Sequence, residues 1–171
     1  VEVRLEFRGL DALEANLSRL ETVARERVLR RAMIRAFRPV LHAARLAAPR
    51  RSGALRQSLA IVAGTALRNG GLAQRFAPTA VLGDKTLAAS VAVVPRIKDS
   101  RAIALYNLDY GRTGNRRIRG IFYGHFLEFG TKRGVRPRRF LYNALRANAQ
   151  TVIDRFAKEI GVEIKRTLSR K

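Results

Sequence analysis

The 171-residue chain sets 35 Lys and Arg against 13 Asp and Glu, a net charge of +22, and a free monomer with that field would repel itself and gather polyanions. With no cysteine it can form neither a disulfide nor a thiolate metal site, and two distant histidines, His42 and His125, are a poor start on any other metal site. The length suits one domain burying roughly 70% of its unfolded surface. No apolar run nears the roughly 18 residues of a membrane span, and the amino end alternates in charge, so a soluble intracellular protein is expected.

Val1, Val3, Leu5 and Phe7 alternate with Glu2, Arg4, Glu6 and Arg8, the period of a half-buried strand. Gly9 breaks it, Asp11 can cap, and Leu10, Leu13, Leu17 and Leu20 recur at helical spacing. A longer helix follows, with Leu29, Met33, Ala36, Val40, Ala44 and Ala47 on one face. Pro39 predicts a kink or restart near Arg38, and Pro49 ends the run. Leu55 to Val62 reads as a short helical or extended approach to a sheet. The glycine-rich Ala63 to Gly83 reads mostly as loop. Thr86 to Val94 predicts a strand ending at Pro95, with Ile103 to Leu108 as its partner and Arg96 to Arg101 as the turn between. Asp109 to Arg119 predicts an exposed basic loop. In the last helix, from Arg138 to Leu168, Leu141, Leu145, Val152, Phe156, Ile160 and Ile164 keep a four-residue beat broken once, and Gly161 allows a bend.

Between the loop and that helix lies Gly120 to Leu141, with Phe122, Tyr123, Phe126 and Phe129, one acid, Glu128, and then a run of cations. It predicts a core-anchored corner, Gly130 ending the aromatic element and Pro137 setting the next helix. Phe122, Phe126 and Phe129 are expected in the core against Leu141 and Leu145. Glu128 is expected to be a structural carboxylate held by Arg51, Arg138 or Arg139. His125 with Glu128, three residues apart, is the best catalytic constellation, but it has no nucleophile or metal partner in spacing. No Walker loop, dinucleotide glycine pattern or zinc spacing is present.

Two stretches carry a resemblance. Pro49, Ser52, Gly53 and Leu55 in Ala-Pro-Arg-Arg-Ser-Gly-Ala-Leu-Arg-Gln-Ser form the first. Tyr123, Phe126, Glu128, Phe129, Gly130 and Thr131, followed by Pro137, Phe140 and Leu141, form the second. In this order they resemble the tail-completion (neck, head-tail joining) proteins of long-tailed phages, related to the minor tail protein Z type. The resemblance covers Val1 to Leu59 and Gly120 to Lys171, and nothing comparable marks Ala60 to Arg119. It implies a structural virion protein forming a ring at the head-tail junction around the DNA path, in the virion neck or tail and in the host cytoplasm during assembly. Six subunits are the first expectation, other ring sizes being open. Implied partners are connector or stopper, tail-terminator or tail-tube proteins and the packaged double-stranded DNA, with no membrane, cofactor, metal or catalytic residue.

The expected fold is α+β, a small mainly antiparallel sheet packed against long N-terminal and C-terminal helices in one domain, with a loop-rich insertion at about 62–119. Of the cations, 29 are Arg, the side chain that forks onto phosphates and carboxylates, although genome composition alone can produce such a bias. Arg27 to Gly83 holds 11 arginines and no acid, which suits a solvated face, a nucleic-acid footprint or docking to a neighbour. Arg112, Arg116, Arg117, Arg119, Lys132, Arg133, Arg136, Arg138 and Arg139 are the candidate partner- or DNA-facing cations. Six copies would carry about +132 at +22 each, whereas about 40 Å of duplex presents on the order of 24 charges. Most arginines are therefore expected to meet acidic proteins. The alternative is a basic nucleic-acid-binding protein acting free in the cell, and a small basic nuclease comes third.

Overall fold

The computed structural model describes residues 22–50, 52–63, 79–82, 89–96, 98–114 and 123–169. Over them the chain runs α1 (Thr22–Ala36), α2 (Arg38–Ala47), α3 (Ala54–Ser58), β1 (Leu59–Ala63), β2 (Thr79–Leu82), β3 (Ala89–Pro95), α4 (Ser100–Asp109), α5 (Gly124–Phe129), α6 (Phe140–Ala147) and α7 (Ala149–Leu168). Helix dominates. The described strands form one antiparallel sheet in the order β1-β3-β2, pairing Leu59 with Pro95 and Thr79 with Ala92. The α+β expectation is therefore met only in part, by a helix-rich chain with a minor sheet. Val1 to Phe7, the following leucine helix, and residues 64–78 lie outside the described residues.

Proline places the first break. Pro39 has no N–H to give and its ring crowds the carbonyl four residues back, so α1 ends at Ala36 and α2 restarts at Arg38. Between them Phe37 is buried and its N–H still reaches the Met33 carbonyl at 3.0 Å. Val28, Leu29, Ala32, Met33 and Ala36 of α1 are buried with Val152, Phe156, Ile160 and Ile164 of α7, which packs along α1. Val40 and Ala44 of α2 join Phe140, Leu141, Ala144 and Leu145 of α6, with Leu59 and Val93 from the sheet. Ala47 is exposed, and Ala48 takes the buried place expected of it.

Two expected elements take a different form. The single closing helix is divided at Asn148, whose side chain donates to the Ala144 carbonyl at 2.8 Å; this local bond competes with helix continuation. The split falls where the four-residue beat skips between Leu145 and Val152, and α7 then runs through Gly161 unbroken. Ile103 to Leu108 is not a strand paired to β3 but part of α4. Asp99 caps that helix, its side chain accepting from the Ala102 N–H at 2.8 Å.

One acid is fully buried between α7 and α1. Glu163 lies 2.7 Å from Arg35 and 3.8 Å from Arg31, and Arg35 also reaches Glu159 at 3.1 Å. These two arginines of the acid-free stretch thus hold carboxylates of their own molecule, so less of the positive charge is left for partners than a residue count implies.

Candidate functional site

The two motif stretches meet in space. In the first, Ala48 adopts the extended conformation that a following proline imposes, and Pro49 carries the chain away from α2. The Ser52 hydroxyl accepts from the Ala54 N–H at 3.3 Å and Gly53 opens α3. Leu55 is buried. Arg56 folds back onto the end of α2, donating to the Ala48 carbonyl at 3.1 Å and to the Leu46 carbonyl, two groups that a helix end leaves without intrahelical partners. Arg45 donates to the Leu59 carbonyl at 2.8 Å, and buried Ser58 donates to Leu55 at 2.7 Å. Leu-Arg-x-Ser is thus a local clamp, in which the arginine serves the backbone.

Helix α5 is too short to bury more than one side. Gly124 and Glu128, four residues apart, face inward. A Cβ at Gly124 would stand 2.8 Å from Leu55 and 3.0 Å from Pro95, so this glycine lets α5 approach α3 and β3. Tyr123 completes the joint: burial pushes its hydroxyl up from the usual tyrosine range, while hydrogen bonds with the Ser52 side chain and the Leu55 backbone pull the other way. Its ring stands 5.8 Å from Tyr106 of α4, which stacks on Tyr110 at 4.5 Å. Arg112 lies over Tyr106 at 5.4 Å, a cation–π contact that turns this candidate cation onto its own molecule.

Glu128 is buried, and the hydrogen bonds that hold it among the described residues come from backbone N–H groups. Its two carboxylate oxygens accept from the Leu141 N–H at 2.9 Å and the Tyr142 N–H at 3.0 Å. It therefore caps α6 from 13 residues away, supplying the negative charge that the first turn of α6 lacks. Burial raises its pKa; the Leu141 and Tyr142 N–H groups, the Arg139 charge and the Phe140 N–H oppose that shift. Arg138 and Arg139 also contribute backbone: their N–H groups reach the Leu127 and Glu128 carbonyls at 2.8 and 3.2 Å.

The aromatics of α5 also depart from expectation. Phe126 is 47% exposed and Phe129 39%, on the outer side of α5. The His125 ring sits beside both, at 5.5 and 5.2 Å. Only Phe140 and Leu141 of the second motif's apolar residues are fully buried, and Phe122 lies outside the described residues. Phe126→Ala should lower stability by no more than about 1 kcal/mol in chemical denaturation. A loss of about 3 kcal/mol or more, the usual cost of emptying a core phenylalanine site, would restore the core assignment.

Beyond α5 the chain makes a tight turn. The Thr131 N–H donates to the Val135 carbonyl at 3.0 Å, Gly134 to Thr131 at 3.2 Å, and the Val135 N–H to the Thr131 hydroxyl at 3.3 Å. Pro137 lies across Gly130. Lys132, Arg133, Arg136, Arg138 and Arg139 are all exposed on this turn and the strap after it. Arg51, Arg116, Arg117 and Arg119 lie outside the described residues. Among the described residues no cluster of metal-ligating side chains forms, and no helix is long and apolar enough to cross a membrane.

No curated protein and no solved structure matches the chain. A family model, HK97-gp10_like, described as "Bacteriophage HK97-gp10, putative tail-component", matches residues 11–130. The match includes the first motif, the second as far as Gly130, and the middle of the chain, which the motifs alone left unassigned. Residues 11–130 are well over half of the 171, and the chain belongs to the HK97-gp10-like family of bacteriophage tail components.

Proposed function

We propose that this tail component is a structural, non-enzymatic protein that completes the tail and joins it to the head as a ring around the DNA path. The observation that carries the reading is the corner itself, where the described polar groups of both motifs, Ser52, Arg56, Ser58 and Glu128, hydrogen-bond to backbone and so build a joint. Both Glu128 oxygens accept from backbone N–H groups of α6, which gives this carboxylate a capping role in the fold. The exposed cations suit acidic neighbours in an assembly, namely connector or stopper, tail-terminator or tail-tube proteins, with DNA taking a smaller share of the charge.

Electron microscopy of intact particles tests this. The expected result is density for the chain as a closed ring, six subunits being the first expectation, between head and tail. Density at the distal tail tip, or none in the particle, would remove the neck reading. The free DNA-binder reading makes a separate prediction, namely duplex affinity for the lone subunit that falls about a thousandfold or more between 50 and 200 mM salt if six or more phosphates are neutralised.

A further inference from the structure

The outer side of α5 and the turn behind it form one surface that combines exposed apolar side chains with cations. Phe126 and Phe129 stand a helical turn apart with the His125 ring beside both, and Val135 adds a third exposed apolar side chain on the turn. Lys132, Arg133 and Arg136 flank them, all exposed. From Phe129 to Ile153 the sequence contains no acid at all. Exposed aromatics held on a rigid frame and rimmed by polar groups mark interaction sites. Aromatic and arginine side chains are also the ones enriched among residues that dominate binding energy. The frame is preformed: the Thr131–Val135 turn closes on itself, and the Arg138 N–H ties the strap to α5 at 2.8 Å. Little ordering cost then remains to be met on binding.

We infer that this face docks a different protein of the particle, inserting Phe126 and Phe129 into an apolar pocket rimmed by carboxylates that meet Lys132, Arg133 and Arg136. The inference deepens the structural reading above and rests on the chain acting within a particle, not on the ring's position. Charge complementarity selects the partner. A second copy of this chain is the weaker electrostatic match, since it carries 35 cations against 13 acids and a net charge of +22 itself. Duplex DNA would reward the cations through its phosphates but has no use for two phenylalanines and a valine.

The test places a photoreactive phenylalanine analogue at position 126 or 129 of the full chain, with Thr151, exposed on α7, as the control position. Particles are assembled, irradiated and digested, and the linked peptides are sequenced. Expected are links from 126 and 129, and not from 151, to a peptide of another virion protein carrying Asp or Glu beside apolar residues. Phe126→Ser with Phe129→Ser, and separately Arg133→Ser with Arg136→Ser, should each lower particle yield at least tenfold while the purified variants remain folded, with a cooperative melting transition. Links to this chain's own peptides, to DNA or to a segment without acid would overturn the inference, as would equal linking from 151 or no linking from either position. Acidic-protein links in particles whose ring lies elsewhere would keep this inference and remove the neck reading.

Discussion

Glu128→Ala is expected to be among the most damaging single changes in the chain, lowering stability by about 2 to 5 kcal/mol. It removes both acceptors of the Leu141 and Tyr142 N–H groups, and each buried donor left unsatisfied costs about 1 to 3 kcal/mol. The Glu128 side chain is almost completely buried, so water cannot readily take the carboxylate's place. Glu128→Gln keeps one acceptor but points an amide N–H₂ at the other donor, and its cost should fall between wild type and Ala. Denaturation midpoints for the three proteins, read with their slopes, check the order. Equal stability of Ala and wild type would mean that α6 does not depend on this cap.

The pH dependence of that gap has a definite sign. Burial is the largest influence on Glu128 and raises its pKa above the ordinary 4.5, so between 4.5 and the raised value the folded chain binds more protons than the unfolded one. Stability from this group is then fully present below 4.5 and is lost as pH rises through the raised value. The difference between wild type and Glu128→Ala should accordingly be largest at acid pH and narrow on the way to neutrality. A gap that widens with pH would show that the N–H groups and Arg139 outweigh burial.

What was legible in the sequence divides along a physical line. Contacts within a few residues were readable: Pro39 stops one helix and starts another, and the apolar face of α1 and the four-residue beat of α7 are the buried sides. The strand at Ala89–Pro95 follows from its β-branched residues. The failures lie where a local signal has two meanings or where the partner is distant in sequence. Ile103 to Leu108 is apolar at nearly every position, which suits a buried strand as well as a helix, and the deciding signal was the Asp99 cap three residues before Ala102. Asn148 was likewise readable as a breaker. By contrast, nothing near Glu128 reveals that backbone N–H groups 13 and 14 residues later hydrogen-bond to it, whereas the neighbouring arginine that sequence does suggest, Arg139, adds only its charge. The aromatics misled for a related reason. With Gly124 and Glu128 committed inward, a six-residue helix leaves Phe126 and Phe129 facing out, whatever their hydrophobicity.

Gly130→Ala should be comparably severe, about 3 kcal/mol or more, and should act on the docking turn more than on the core. Gly130 has φ 76° and ψ −177°, a region that only glycine occupies without strain, at about 1 to 3 kcal/mol for other residues. Space is also lacking. An added Cβ would stand 2.6 Å from the Val135 carbonyl oxygen and 3.0 Å from the Pro137 ring; the first of these is backbone and cannot rotate aside. Relief requires the turn to open, which breaks the Thr131–Val135 pairing and carries Lys132, Arg133 and Arg136 away from the phenylalanines. The helices on the far side, α1 and α7, make no use of Gly130 and should retain their packing. Amide exchange in the variant should therefore rise across Thr131 to Arg139 while Val152 to Ile164 stays protected, and linking from position 126 to another virion protein should fall at least tenfold. A variant that melts like wild type with an unchanged exchange pattern would mean that the turn yields without cost.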